Sequence, residues 1–302
     1  MRVAAIDCGT NSIRLLVADV EGDRKADVHR EMRVVRLGQG VDRTGELAPE
    51  AIERTRLALV DYAATCRALG VEATRMVATS ASRDARNSSD FRDMVQQVLG
   101  AEPDVVSGDE EAALSFDGAT RGLDPAGGPF LVMDIGGGST ELVLGTTSVE
   151  AGRSVDVGCV RLTERHLRDD PPTLAQIAAA EADVDAALAL ARETVPVEKA
   201  CTAIGLAGSV TTVAALALGL TAYDPERIHL SRISAAQARE LSDRLLAMTR
   251  EERAALPVMH PGRVDVIGAG ALVLATLVDR LELPEVLVSE ADILDGIAWS
   301  IC

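Results

Sequence analysis

The chain has 302 residues, enough for two domains with separate cores, and 47% are hydrophobic but only 2% aromatic, so Ala, Val and Leu must fill the interior. A formal net charge of −17 disfavours non-specific binding to nucleic acid or to an anionic membrane, and a polyanionic ligand must be drawn by a local basic patch. Charges interrupt every apolar run before it reaches a membrane span, no export signal opens the chain, and the five scattered cysteines form no CxxC pair, so a reducing cytoplasm is the expected setting.

Strand-like runs occupy 2–7, 12–20 and roughly 27–37, followed by a loop from Leu37 to Leu47. Ala48 to Leu69 reads as an amphipathic helix with Pro49 in its first turn and Gly70 as its stop. Val77 to Ala81 reads as a short strand leading to Arg83, and Ser89 or Asp90 caps a helix through Leu99. A helix from Asp109 to about Thr120 precedes the turn-rich stretch Gly122–Pro129, a hinge candidate. The pattern then restarts with strands at 130–134 and 141–145, the run Val155 to Val160, and an alanine-rich helix at 173–194. A small-residue turn in Ala203–Leu220 opens an apolar helix; further helices are expected at Ser234–Met248, Pro261–Leu281 and Asp292–Ile301, with a strand at Val286–Val288. Strands followed by helices, twice, indicate two α/β lobes on one plan.

Each half opens with the same design. Ala4-Ala-Ile-Asp-Cys-Gly-Thr-Asn-Ser-Ile and Val132-Met-Asp-Ile-Gly-Gly-Gly-Ser-Thr-Glu are apolar strands running into an acid, then glycines and hydroxyls. Such turns let backbone N–H groups converge on an anion. The candidate phosphate cradles are therefore Gly9, Thr10, Asn11 and Ser12 in the first half, and Gly136, Gly137, Gly138, Ser139 and Thr140 in the second. Asp7 and Asp134 end their strands where a carboxylate can hold Mg²⁺ against phosphate oxygens, and Glu141 closes the second turn. Lys25 and Lys199 are the only lysines and neither makes a Gly-Lys-Ser/Thr loop, which excludes an ordinary P-loop ATPase. Arg83 reads equally as a phosphate fork or a surface arginine. Glu110 and Glu111 read first as acids complementing a helix dipole, with a general base as the alternative. Gly208 and Ser209 at a helix start suit either an anion or close packing. Four histidines lack metal-ligand spacing, and no serine has a histidine–acid partnership.

In order along the chain, Asp7-Cys-Gly-Thr-Asn-Ser-Ile-Arg, Ala78-Thr-Ser-Ala-Ser-Arg, Ser107-Gly-Asp-Glu-Glu-Ala, Asp134-Ile-Gly-Gly-Gly-Ser-Thr-Glu-Leu, Cys159-Val-Arg-Leu-Thr-Glu-Arg, Ala207-Gly-Ser-Val-Thr-Thr, Arg263-Val-Asp-Val-Ile-Gly-Ala-Gly and Ser289-Glu-Ala-Asp-Ile-Leu-Asp-Gly resemble the exopolyphosphatase and guanosine-pentaphosphate phosphohydrolase (Ppx/GppA) family. The resemblance spans essentially the whole chain and is strongest to short actinobacterial exopolyphosphatases. It implies the actin-like, ribonuclease-H-like α/β fold of the sugar kinase and chaperone ATPase superfamily. The expected lobes are 1–124 plus a returning helix 291–302, and 125–290. It further implies Glu111 as catalytic base, Mg²⁺ (or Mn²⁺) on Asp134 and Glu141 with Asp7 nearby, and Arg83 clamping the terminal phosphoryl group. The turn at Gly208 and Ser209 lies where kinase relatives hold adenosine, so a (p)ppGpp or other nucleotide regulator is an expected partner, as is a second copy in a homodimer. The implied activity is removal of orthophosphate from the ends of polyphosphate, with short chains favoured because the additional C-terminal domains of longer members do not follow here. The alternatives are hydrolysis of guanosine pentaphosphate at its 5′ end and a regulator that binds (p)ppGpp or polyphosphate without turnover.

Overall fold

The computed structural model describes residues 1–22 and 24–302. The chain divides into two compact units, Met1–Gly118 with Ile293–Cys302, and Ala119–Asp292.

Unit 1 is built on β1 (Arg2–Cys8), β2 (Ser12–Glu21), β3 (Arg24–Val34), β4 (Ala73–Ala78) and β5 (Asp104–Val105), in the order β3-β2-β1-β4-β5. The first three strands pair antiparallel with one another, while β4 and β5 continue parallel to β1. Its helices include α1 (Val41–Thr44), α2 (Pro49–Ala68), α3 (Ser80–Asp84), α4 (Ser88–Leu99) and α5 (Gly108–Thr120). Side chains alternate across a strand, and the two faces of this sheet have different cores. Ala4, Ile6, Ile13 and Leu15 pack with Leu59 and Tyr62 of α2 and Phe91 of α4. Val3, Ala5, Leu16 and Ala18 pack with Leu114 of α5 and with Ile293, Leu294 and Ile297 of the closing helix, Ile293–Trp299. By the same parity Asp7 and Arg14 project on the α5 side. The closing helix meets α5 at backbone range, since a Cβ at Gly296 would lie 2.0 Å from the Leu114 carbonyl oxygen.

A buried acid pins that helix to β3. Asp295, 2% exposed, receives Lys25 Nζ at 2.9 Å and Arg30 Nη2 at 2.8 Å. Removing one partner of such a cluster strands the other charges. Asp295→Ala is expected to lower stability by about 2–3 kcal/mol, below the roughly 3–5 of a fully buried pair because Arg30 reaches solvent. Urea unfolding checks this, and a midpoint equal to that of the parent would show that the cluster contributes nothing.

Unit 2 repeats the plan with β6 (Phe130–Ile135), β7 (Thr140–Gly145), β8 (Val149–Val155), β9 (Thr202–Leu206), β10 (Arg232–Ser234) and β11 (Glu285–Val288), ordered β10-β11-β9-β6-β7-β8. The antiparallel trio β6, β7 and β8 matches β1, β2 and β3, and β9 and β11 continue parallel to β6. Its helices are α6 (Cys159–Arg165), α7 (Leu174–Arg192), α8 (Ala207–Ala217), α9 (Pro225–Ile228), α10 (Ala235–Ala247), α11 (Arg250–Ala254) and α12 (Ile267–Arg280). Thr173 and Ser234 start α7 and α10 through capping boxes with Gln176 and Gln237. One strand order with an antiparallel trio and a parallel extension, present once in each unit, is the ribonuclease-H-like topology doubled, the actin-like fold. Among the described residues no helix is long and apolar enough to cross a membrane.

The expected elements are present with shifted ends, some differ in kind, and some were not expected. The Leu37–Leu47 loop contains the short helix α1, and Arg83 lies within α3 rather than at a strand end. The β8 and β10 strands carry no apolar alternation to announce them. Only Val155 of β8 is buried, at the sheet edge, which removes the period-2 signal. The expected Pro261–Leu281 helix is a short 3₁₀ turn, Pro261–Arg263, followed by α12.

Candidate active site

The turn between β6 and β7 is held from behind. Gly136 N–H donates to Ser139 O at 3.0 Å, closing the turn. The segment after β8 then takes up its carbonyls: Cys159 N–H donates to Gly136 O, Val160 and Arg161 N–H to Gly137 O, and Arg161 Nε to Gly138 O at 2.7 Å. Gly158 makes this approach feasible, because a Cβ there would sit 2.4 Å from Gly137 O. With the carbonyls tied down, the amides of Gly137, Gly138 and Ser139 donate to no protein group among the described residues. Three successive N–H groups without a protein acceptor make an anion cradle. Thr140 is committed elsewhere, its hydroxyl donating to Val157 O at 2.7 Å.

The β1–β2 turn is a copy. Gly9 N–H donates to Ser12 O at 3.0 Å. The segment after β3 takes up the carbonyls, with Val35 and Arg36 N–H donating to Asn11 O and Gly38 N–H to Thr10 O. Thr10 and Asn11 keep amides without a protein acceptor among the described residues. Thr10 Oγ1 is bonded to Ser80 Oγ at 2.9 Å, a partner that no spacing in the sequence announces.

The two glutamates are separated by burial. Glu110 is half exposed and held by Arg75 Nη2 at 2.7 Å. Glu111 is buried, and Arg83 Nη1 donates to its Oε2 at 3.0 Å and to Val106 O at 3.1 Å. Ser107 starts the helix beneath them, its Oγ accepting from Glu110 N–H. A carboxylate and a guanidinium expected at the site are therefore a contacting pair. Beside Arg83, Ser82 Oγ is buried with no hydrogen-bond partner. A stranded hydroxyl costs roughly 1–3 kcal/mol. Ser82→Ala is thus expected to leave stability unchanged or raise it by about 1 kcal/mol; a melting temperature several degrees lower than the parent's would show that the hydroxyl has a stabilising partner.

A family model described as the Ppx/GppA phosphatase family matches residues 16–302. The chain belongs to this family. It is 55% identical to a protein named exopolyphosphatase 2 from Mycobacterium tuberculosis, over 99% of this chain and 98% of the relative. A crystal structure of an exopolyphosphatase-like protein, 43% identical, superposes with a TM-score of 0.96 over 99% of this chain and 97% of that one. The Ppx/GppA family member of Aquifex aeolicus, 29% identical, gives 0.82 over 100% and 97%. Membership makes the chain a hydrolase of phosphoanhydride bonds.

Members of the Ppx/GppA family act with divalent metal, and the donor set in unit 2 fits such an ion. Asp134 and Glu141 are register partners across the β6–β7 ladder, so both carboxylates lie on one face. Both are buried, and Ser154 Oγ donates to Glu141 Oε1 at 2.6 Å. Among the described residues no cluster of three or more His, Cys, Asp or Glu side chains could hold a metal. A site with two carboxylates, completed by water and phosphate oxygens, is the habit of Mg²⁺ rather than of Zn²⁺. Asp7 differs: Arg14 Nη2 donates to its Oδ2 at 2.6 Å and Arg14 Nε at 3.0 Å.

The third turn is backed by Arg263 from the short 3₁₀ turn Pro261–Arg263. Arg263 Nη1 donates to Gly208 O at 2.9 Å and to Thr212 Oγ1 at 3.1 Å, and a Cβ at Gly208 would fall 2.0 Å from this guanidinium. Ser209 is buried beside Cys159, whose thiol pKa is pushed up by burial. In the arginine-rich stretch, Arg165 and His166 both reach Asp183 and are structural, while Arg161 touches the phosphate turn itself.

Proposed function

We propose that the chain is an exopolyphosphatase that releases terminal orthophosphate from linear polyphosphate by attack of water. The observation that carries this reading is the β6–β7 turn, with three amides open to an anion directly before Glu141 and after Asp134. The names of the similar proteins support it.

In-line phosphoryl transfer needs positioning and charge neutralisation more than covalent chemistry. The amides of Gly137, Gly138 and Ser139 bind the terminal phosphoryl oxygens, where they complement the charge that develops as the bond to the leaving chain stretches. The amides of Thr10 and Asn11 bind phosphate in the same way in unit 1. In unit 1, Glu111 is the group suited to accept a proton from water. Arg83 holds the Glu111 carboxylate in one orientation and adds positive charge for a phosphate oxygen. Asp134 and Glu141 would hold Mg²⁺, which supplies further charge neutralisation on the phosphates. Proton transfer from water to Glu111 leaves hydroxide oxygen on the released orthophosphate and the electron pair of the broken bridge on the shortened chain.

Short polyphosphates are expected to be the better substrates. A net charge of −17 repels the distal part of a long polyanion, most strongly at low salt where the Debye length reaches roughly 30 Å. Phosphate release at equal concentrations of chain ends, from a few to hundreds of phosphates and at two ionic strengths, measures this. Efficiency is expected to fall with length, and less so at high salt; rates that climb with length would reject the preference. Guanosine pentaphosphate and ATP in the same assay test the reading itself, which fails if either is hydrolysed far faster than every polyphosphate.

A further inference from the structure

The β1–β2 turn carries a hydroxyl pair with one proton more than its own bond uses. Thr10 Oγ1 and Ser80 Oγ are 2.9 Å apart, and Thr10 is 7% and Ser80 2% exposed. Each hydroxyl has one proton to donate, and the bond between them takes one of the two. Among the described residues neither side chain makes another hydrogen bond, so the second proton has no protein acceptor. The strand-end acid does not take it: Arg14 donates to Asp7 Oδ2 at 2.6 Å, and Asp7 Oδ1 is buried with no hydrogen-bond partner. A buried donor with no acceptor is costly, and a ligand oxygen removes that cost. The pair is also fixed in place. Gly38 N–H donates to Thr10 O at 2.8 Å, and a Cβ at Gly38 would fall 2.4 Å from Thr10 Cγ2 and 3.0 Å from Ala81 Cβ. Glycine at 38 thus leaves the space in which the Thr10 methyl sits, and with the methyl seated there the hydroxyl is held at Ser80.

We infer that Ser80 is a positioning residue: it donates to Thr10 Oγ1, and Thr10 gives its own proton to an ionised phosphate oxygen at the β1–β2 turn. The inference rests on the phosphate reading of that turn proposed above. Thr10 is the outward member for two reasons. It belongs to the turn, where its own amide and that of Asn11 lack a protein acceptor among the described residues, and it is the less buried of the two. Accepting from Ser80 engages the Thr10 oxygen and polarises its O–H bond. Thr10 then meets a ligand as a donor, which suits an oxygen that only accepts, as an ionised phosphoryl oxygen does, and not an ammonium group. The same bond ties the turn to the start of α3, the helix that carries Arg83.

Calorimetric titration of the full chain with imido-bridged triphosphate in the presence of Mg²⁺ tests this without reference to turnover, since the P–N–P bridges resist hydrolysis; circular dichroism confirms folding. Thr10→Val should weaken binding about tenfold or more, the worth of a hydrogen bond to a charged group. Ser80→Ala should weaken it about fivefold in the parent background but less than about twofold in Thr10→Val, because Ser80 acts only through Thr10. Thr10→Ser keeps the hydroxyl and loses only the methyl that fixes it, so it should bind within about threefold of the parent. A Thr10→Val or Ser80→Ala variant that binds as the parent does, a Ser80→Ala loss that persists in full in Thr10→Val, or a Thr10→Ser variant as weak as Thr10→Val would overturn the inference. A parent chain that does not bind the probe would instead remove the phosphate reading on which it depends.

Discussion

Glu111→Gln is expected to lower turnover by about 10²–10⁴-fold, the usual worth of general-base assistance, while polyphosphate still binds. The amide is nearly isosteric with the carboxylate and can still accept a hydrogen bond from Arg83 through its carbonyl oxygen. It has no basic lone pair for the proton of water. Glu110 is the internal control: it lies one residue away but faces solvent, against Arg75. Glu110→Gln should cost less than about threefold, in line with the small worth of an exposed ion pair. The comparison is of kcat for both variants alongside a direct binding measurement. Equal losses, or a larger loss at Glu110, would show that burial on α5 does not mark the base.

Gly158→Ala should be nearly as damaging although residue 158 offers no functional group. Its φ of −162° is ordinary extended backbone that alanine adopts freely, so no conformational strain is involved. The effect is steric: the new methyl would lie 2.4 Å from Gly137 O and 2.7 Å from Gly138 N, both backbone atoms of the phosphate turn. Either the turn or the start of α6 must move, and a displacement near 1 Å at a phosphoryl-binding site costs on the order of 10²-fold in rate. Overpacking should also lower stability by about 1–3 kcal/mol. Gly122→Ala, where a Cβ meets nothing within 4 Å, is the matched control and should behave as the parent. Values of kcat/KM with thermal melts decide it. A Gly158→Ala enzyme of parental activity would mean that the turn tolerates displacement and is not the phosphoryl cradle.

What could be read from the sequence was whatever has a local chemical signature. The paired turns are legible because glycines, hydroxyls and strand-end acids are contiguous in each. The Glu-Glu pair was visible as a pair, but its local pattern also suits helix-dipole acids. Choosing Glu111 over Glu110 needed either the family resemblance or the burial that the fold provides. What holds the turns is not local. The carbonyls of Gly136 to Gly138 are bound by a segment more than twenty residues on, and those of Thr10 and Asn11 by residues 35–38. Only Gly38 and Gly158 hint at these contacts, as glycines following strands, and nothing in spacing connects them to the turns they back. Arg14 and Glu141 occupy equivalent register positions, which becomes visible only once both hairpins are paired. Ser80 and Ser154 lack a signal altogether, being ordinary hydroxyls until the fold sets them against Thr10 and Glu141.

The most direct test of the account is hydrolysis of polyphosphate of defined length in ¹⁸O-labelled water, with mass analysis of both products. Attack of water on the terminal phosphorus places one labelled oxygen in each released orthophosphate and none in the shortened chain. Label on the shortened chain would mean attack at the penultimate phosphorus, and release of oligomers without orthophosphate would mean internal cleavage. Either result would contradict release of the terminal phosphoryl group by attack of water.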